Sequence, residues 1–425
     1  MNAVGTPLSD WLARLETLSP REIDMGLERV QRVFERLAIA PPRTVFHVAG
    51  TNGKGSSVAM LESLLRKTDA RVGSYTSPHI RRYNERIRVD GDEAGDEQIV
   101  AAFEQIEKVR ENDMLTYFEY GTLAAMLVFV DVGIDIAILE VGMGGRLDAV
   151  NAIEPDAGLI TNISLDHCDW LGNDIEAIAM EKAGIMRKDE AIIFGSRQVP
   201  QAIFDRAADV NAQLIVAGRD YDWSREGDNW SWRGLTHGLK CLVLPALQGK
   251  HQIDNAAAVL ALLEAAGYAD LLREEIVNSC VAELRLDGRM QRVDADARWL
   301  LDVAHNPAAA TALADALRAE TQVGHTVAIV GMLDDKDVEG IVAALASSVD
   351  HWIAVTADNP RGIDADELGR RVANAANSAC LVAESIDVAL SRARKLTTAK
   401  DRILVTGSFY LVGPVLTELY SRRKS

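Results

Sequence analysis

Thr44-Val45-Phe46-His47-Val48-Ala49-Gly50-Thr51-Asn52-Gly53-Lys54-Gly55-Ser56-Ser57 is an apolar run that breaks into glycines and ends in a polar cluster. Val45, Phe46, Val48 and Ala49 read as a buried strand. Beyond the glycines, Val58, Met60, Leu61, Leu64 and Leu65 read as the apolar side of a helix. A helix that opens straight off such a turn aims unpaired backbone N–H groups, and the positive end of its dipole, at whatever fills the loop. The stretch therefore predicts a phosphate cradle, Gly50 to Ser57, with Thr51 and Asn52 inside the turn. Gly50, Gly53 and Gly55 permit positive φ and close approach, Lys54 can place a charge on outer phosphates, and Ser56 or Ser57 can face a Mg2+. The common P-loop spelling is not matched: Val48 stands where that pattern has its first Gly, and Gly55 where it has Ser or Thr.

Working outward, 425 residues exceed one ordinary core and predict two or three domains. With 48% hydrophobic and 25% charged residues, the composition is that of a soluble globular protein. Its longest apolar runs, such as Ile134 to Val141, fall far short of the roughly 20 residues of a membrane span. Met1 to Asp10 has neither the basic start nor the apolar centre of a signal peptide, so a cytoplasmic location is expected. Cys168, Cys241, Cys280 and Cys380 have no metal or redox spacing. A net charge of −18 argues against nucleic acid or an anionic membrane as partner. Anions can still be held where cations gather, and Lys54, Arg86, Arg146 and Arg289 are candidates.

The spelling Gly50-Thr51-Asn52-Gly53-Lys54-Gly55-Ser56 resembles the nucleotide loop of the Mur ligase superfamily, and the Gly after the lysine resembles its folylpolyglutamate synthase branch. Only about 43 residues precede the loop strand, too few for the extra N-terminal domain of cell-wall Mur ligases. The folate branch is the better likeness.

Residues 8–37 predict two helices, the first capped by Ser9. Between them Ile23 to Val30 reads equally as an amphipathic helix capped at Asp24 or, by resemblance, as a pterin-contacting segment with Asp24, Met25 and Gly26. Val72 to His79 predicts a strand ending in a turn at Pro78. By itself Ser77-Pro78 is a turn; the resemblance makes Ser77 a metal contact and Arg86 an active-site arginine. Residues 96–131 predict two helices, with Phe118 either a core aromatic or, by resemblance, a neighbour of the pterin. Glu140 closes an apolar strand, where an unpaired carboxylate would be costly to bury, so it reads as a metal ligand. Gly142 to Asn151 resembles the family's substrate loop (Gly145, Arg146, Leu147, Asp148), with Arg146 and Asp148 at its tip.

Asp166 and His167 follow another strand. A lone His there is commonly structural; the resemblance makes His167 a metal ligand facing Glu140 and Ser77. Residues 174–186 predict a helix in which Glu181-Lys182 reads as a solvated pair, whereas the resemblance makes Lys182 a carbamylated lysine. Residues 191–248 read as strand, helix and strand, then Trp-rich hairpins. By resemblance Asn255, Arg289 and Asp302 match nucleotide contacts and His305 a position that receives glutamate; Ser408 opens a helix whose N-terminus could hold a carboxylate, such as that of the substrate. From about residue 296, alternating strands and helices predict a small doubly wound unit.

The expected fold class is therefore α/β: a P-loop-type Mur ligase domain with a mostly parallel sheet over 1–295, then a smaller Rossmann-like domain over 296–425. The resemblance implies a ligase that uses ATP to join L-glutamate to dihydropteroate, and further glutamates to reduced folates, through an acyl phosphate. Lys54, Arg86, Asp148, His167 and Lys182 would carry the chemistry. Two Mg2+ are expected, one held by His167 and Lys182 with Glu140 bridging, and also a monovalent cation such as K+. The partners are those small molecules, and the chain is expected to be a monomer. A polyglutamate synthase alone, or a nucleotide-switched binding protein, remains open at this point.

Overall fold

The computed structural model describes residues 7–18, 26–293, 296–320 and 324–421. In chain order the elements are α1 (Leu8–Leu18), α2 (Glu28–Leu37), β1 (Thr44–Ala49), α3 (Lys54–Leu65), β2 (Val72–Tyr75), β3 (Ile87–Val89), β4 (Asp92–Glu93), α4 (Asp96–Val109), α5 (Tyr117–Val132) and β5 (Ile136–Glu140). There follow β6 (Ala157–Ile160), α6 (Cys168–Leu171), α7 (Ile175–Lys182), β7 (Ala191–Phe194), α8 (Gln201–Val210), β8 (Gln213–Val216), β9 (Asp222–Glu226), β10 (Asn229–Arg233), β11 (Gly238–Val243), α9 (His251–Ala265) and α10 (Glu274–Glu283). The last part holds β12 (Gln291–Val293), β13 (Asp296–Leu301), α11 (Pro307–Ala319), β14 (Thr326–Val330), α12 (Val338–Leu345), β15 (His351–Ala354), α13 (Ala365–Ala376), β16 (Cys380–Val382), α14 (Ile386–Leu396), β17 (Arg402–Thr406) and α15 (Phe409–Ser421).

The chain divides into two compact units, the first made of residues 1–163, 173–244 and 254–284, the second of 164–172, 245–253 and 285–425. The first is built on an eight-stranded sheet of order β4-β3-β2-β5-β1-β6-β7-β8. Strands β2, β5, β1, β6, β7 and β8 are parallel, and β3 and β4 add an antiparallel edge. Every residue of β5 is buried, which is why it reads as a continuous apolar run rather than an alternating one. β1 lies between β5 and β6, so its C-terminal end is a point where the strand order switches direction, the usual place for a ligand in such sheets. Thr116 starts α5 with a reciprocal cap: it accepts from the Glu119 N–H at 3.3 Å while Glu119 Oε2 accepts from the Thr116 N–H at 2.7 Å. The Trp-rich segment forms a three-stranded antiparallel sheet, β11-β10-β9, with Trp230 and Trp232 buried.

The second unit carries a six-stranded sheet of order β12-β13-β17-β14-β15-β16, parallel except for β12. Asn306 caps α11, with Pro307 at the first helical position, where its missing N–H costs nothing. Three local expectations are corrected. Ser9 lies inside α1, which begins at Leu8, and does not cap it. Leu27, not Asp24, occupies the capping position of α2; Asp24 and Met25 themselves lie outside the described residues. The helix expected over 174–186 ends at Lys182 and tightens into a 3-10 turn, Ala183–Ile185. Among the described residues no helix is long and apolar enough to cross a membrane.

Candidate functional site

β1 runs into Gly50 (φ 138°) and Gly53 (φ 87°), left-handed positions that turn the chain into α3 at Lys54. A Cβ on Gly50 would lie 1.9 Å from Thr161 Oγ1, and one on Gly53 would lie 2.6 Å from Asn255 Oδ1, so α9 brings Asn255 directly against the loop. Lys54 Nζ donates to the carbonyls of Gly50 and Thr51 at 3.1 and 3.2 Å. Lys182 Nζ donates to the Gly50 carbonyl too, at 3.0 Å. The Thr51 N–H is given to the Asn162 carbonyl at 2.9 Å and the Asn52 N–H to Asn162 Oδ1 at 3.1 Å. Thr51 and Asn52 thus shape the cradle with their N–H groups. The donors of Gly53, Lys54, Gly55 and Ser56 come before the first intrahelical bond, from Ser57 N–H to Gly53 O at 2.9 Å.

Glu140 sits at the end of β5 beside Val48 of β1 and is only 4% exposed. Its Oε2 accepts from the Ser77 N–H at 3.2 Å, just before a cis Ser77-Pro78 peptide. Nearby, Arg86 donates from Nε to His79 Nδ1 at 2.9 Å and lies 5.3 Å over the rings of both Tyr83 and Tyr117. Burial, with the Arg86 charge, pushes His79 down to about 3 and keeps it neutral. Phe118 lies 5.9 Å from Tyr75 between ring centroids and against Gly142, where a Cβ would come within 2.6 Å of its ring.

The loop after β5 folds onto α7. A Cβ on Gly145 would meet the Glu181 carbonyl at 2.8 Å, and Arg146, exposed, pairs with Glu181 at 2.7 Å. Leu147 is half-buried. Asp148 is not at the tip as expected; it is buried and braces the loop from within, accepting from the Met143 and Val150 N–H groups at 2.8 and 3.0 Å. Burial raises its carboxyl to about 7 against the pull of these bonds and of Lys54. Glu181-Lys182 is not a solvated pair either: Glu181 turns to Arg146, and Lys182, 5% exposed, turns to the phosphate loop.

In the second unit Asp166 gathers nitrogen partners. Lys336 Nζ lies 3.0 Å from its Oδ1, His305 Nε2 3.4 Å from its Oδ2, and Asn306 Nδ2 donates to Oδ2 at 2.9 Å. Burial alone would raise this carboxyl, but His305, His167 and Lys336 outweigh it and hold it well below the carboxylate range. His167, in a left-handed conformation, has Nδ1 3.9 Å from Asp335, which also pairs with Lys336 at 3.0 Å. Phe409 lies between two candidates: its ring is 5.7 Å from His305 and 5.3 Å beneath the Arg289 guanidinium. Asp302 accepts from the Met290 and Ala304 N–H groups at 2.9 and 2.8 Å, and burial raises its carboxyl. Ser408 opens α15, its Oγ accepting from the Tyr410 N–H at 3.1 Å.

Known proteins match over the whole of this framework. The Mur ligase middle domain matches residues 48–263, and the Mur ligase glutamate ligase domain matches 288–409. The dihydrofolate synthase/folylpolyglutamate synthase of Escherichia coli is 41% identical over 420 residues, covering 99% of this chain and 97% of that protein. The chain belongs to the Mur ligase family, in its dihydrofolate synthase/folylpolyglutamate synthase branch. Escherichia coli FolC in complex with DHPP and ADP superposes with a TM-score of 0.93 at 40% identity, each chain covered in full. A bifunctional folylpolyglutamate synthase/dihydrofolate synthase with Mn, AMPPNP and L-glutamate bound gives 0.89 at 38% identity over 98% of both chains.

This Mur ligase brings Gly50 to Ser57, Ser77, Glu140, Lys182 and Asn255 to the C-terminal edge of one sheet, and Arg289, Asp302, His305 and Ser408 to that of the other. His167 belongs to the second unit, whereas Ser77, Glu140 and Lys182 belong to the first. Among the described residues no three His, Cys, Asp or Glu side chains form a closed metal cage. A carboxylate and a hydroxyl beside a phosphate loop still fit Mg2+, which keeps waters and takes substrate phosphates among its ligands. Sequence reasoning missed Lys336, Asp335 and Phe409. Lys336 follows two aspartates, Asp334 and Asp335, a setting that suits a surface as well as an interior; only the fold shows its side chain turned inward, 7% exposed.

Proposed function

We propose that this chain is an ATP-dependent carbon–nitrogen ligase that joins L-glutamate to dihydropteroate and adds further glutamates to reduced folates. The observation that carries the reading is the loop itself: a glycine turn at a strand switch point with two lysines on one carbonyl, in a chain alike end to end to proteins of that name. An ionised carboxylate is a poor acyl donor. Its oxygen therefore takes the terminal phosphoryl group of ATP, ADP leaves, and the amine of glutamate attacks the resulting acyl phosphate, expelling phosphate with loss of a proton. Lys54 and the N–H groups of Gly53 to Ser56 hold the phosphates and offset charge in the transferred group, so catalysis is positioning and electrostatics.

Ser77 and Glu140 would hold Mg2+ in the first unit, and His167 supplies an imidazole donor in the second. Lys182 would serve as a carbamate. Bound Mg2+ supplies Lewis-acid stabilisation of phosphoryl oxygens. Two Mg2+, a monovalent cation such as K+, a monomeric state and a cytoplasmic location complete the proposal. Gly26, Phe118 and the Gly145 to Asp148 loop would receive the pterin side, Asn255, Arg289 and Asp302 the nucleotide, and His305 and Ser408 glutamate. Arg86, fixed by His79, faces the same chemistry.

The test is phosphate release from ATP and Mg2+ with L-glutamate, with dihydropteroate in one tube and tetrahydrofolate in another, and EDTA as control. Release in both supports the bifunctional ligase. Release with tetrahydrofolate alone reduces it to the polyglutamate activity, and release that ignores glutamate overturns the reading.

A further inference from the structure

The phosphate loop is held from outside by one side chain whose place in the sequence gave no hint of it. Asn162 follows β6, the strand on the far side of β1 from β5. Its amide meets both backbone polar groups of Asn52, one on each side of its Cα: Oδ1 accepts the Asn52 N–H at 3.1 Å, and Nδ2 donates to the Asn52 carbonyl at 2.8 Å. The backbone joins in, because the Asn162 carbonyl accepts the Thr51 N–H at 2.9 Å. Thr161 Oγ1 donates to the same Asn52 carbonyl at 2.6 Å and stands where any Cβ on Gly50 would have to go.

We infer that Asn162 is a positioning residue for nucleotide binding, a two-point clamp on Asn52 that sets the opening of the loop. A side-chain amide carries both an acceptor and donors, and the N–H and C=O of Asn52 belong to the peptide groups on either side of its Cα, so the pairing fixes both peptide planes that meet at Asn52. With Asn52 fixed, and Thr51 tied to the Asn162 backbone, Gly53 can enter its left-handed turn at only one place. The N–H groups from Gly53 onward are then aimed before any phosphate arrives, and binding does not have to order them. Loss of the clamp frees a glycine-rich turn to sample other conformations, which lowers affinity in proportion to the fraction still competent.

This rests on reading Gly50 to Ser57 as the nucleotide loop, so the test separates the two. Binding of Mg-ADP, which needs no ligase turnover, is measured by calorimetry for the parent, Asn162→Ala and Thr161→Val, with steady-state KM values alongside. Asn162→Ala is expected to weaken Mg-ADP about tenfold and raise KM for ATP similarly, with KM for glutamate within twofold and the nucleotide-free melting temperature nearly unchanged. Thr161→Val, which keeps the side-chain shape and removes the second donor to the Asn52 carbonyl, is expected to weaken Mg-ADP about threefold. It reads the same carbonyl should the alanine variant fail to fold. Mg-ADP affinity within 1.5-fold of the parent in the folded variants overturns the clamp. A parent that binds no Mg-ADP overturns the nucleotide reading on which the clamp depends.

Discussion

The side-chain nitrogens of Lys54 and Lys182, 128 residues apart in the chain, converge on one acceptor, the carbonyl oxygen of Gly50, at 3.1 and 3.0 Å. One lysine comes from the helix the loop opens and the other from the end of α7. Two side-chain nitrogens on one carbonyl fix the turn where a strand ends and a helix dipole begins.

Lys54→Ala removes the charge that can follow the transferred phosphoryl group while leaving the buried side of α3 untouched. ATP-dependent product is expected to fall by at least about a hundredfold, the scale for losing one preorganised stabilising donor. Circular dichroism and melting temperature should match the parent. Turnover near normal would remove the loop from the mechanism.

Lys182 is tested for the carbamate. A neutral amine nitrogen adds to CO2 and loses a proton, leaving a carboxylate on nitrogen. NMR with 13C-bicarbonate at pH near 8 should show a carbamate carbon in the parent and none in Lys182→Ala, which should also lose phosphate release. A free amine in a fully active protein would sink the assignment.

Gly145→Ala asks whether the substrate loop must lie flat on α7. The new Cβ would sit 2.8 Å from the Glu181 carbonyl, 3.0 Å from that of Lys182 and 3.1 Å from the Lys182 Cα, all backbone atoms that cannot swing aside. The loop must lift. A fall in kcat/KM of about 10- to 100-fold for the pterin substrate is expected, with KM for ATP little changed, on the scale known for ångström misplacements. Kinetics within twofold of the parent would show that the loop closes elsewhere.

His47 lies fully buried in β1, and neither ring nitrogen has a partner. Burial, helped by the charge of Arg187, lowers it to about 3. The unfolded chain takes up a proton there below about 6.5, and the folded chain only near 3, so folding is progressively disfavoured as pH falls through that window. Each pH unit costs up to about 1.4 kcal/mol. His47→Leu should flatten the loss of urea stability between pH 6.5 and 4. Parallel curves for parent and variant would show that another group governs acid unfolding.

The order of strands and helices was legible because most are long enough to show their own period; the second unit has the alternation of strands and helices expected from about residue 296. β16 and β12 were not, being three residues each and defined by their neighbours' edges rather than by a pattern of their own. The glycine turn and the places of Lys54 at a helix start and Glu140 at a strand end could be read because these residues sit against apolar runs of clear period. The inward turn of Lys182 could not, since Glu181-Lys182 is equally at home on a wet helix until Gly145 and Gly184 bring loop and helix together. The tip expected for Asp148 was wrong, and Lys336 went unremarked, for the same reason: a charged residue shows its burial only when its partners are in place.

The second unit draws on Ser164–Gly172 and Pro245–Ile253 as well as on the chain from Arg285 onward. Asp166, the anion against which Lys336 and His305 rest, is thus made by the ribosome well over a hundred residues before them. A gene cut once near residue 285 and joined to a relative's second half would give Lys336 and His305 another protein's aspartate. A hybrid cut there keeps these pairings only if the incoming first half carries a carboxylate at the place of Asp166, so the second unit is inherited as three separate stretches of chain rather than one.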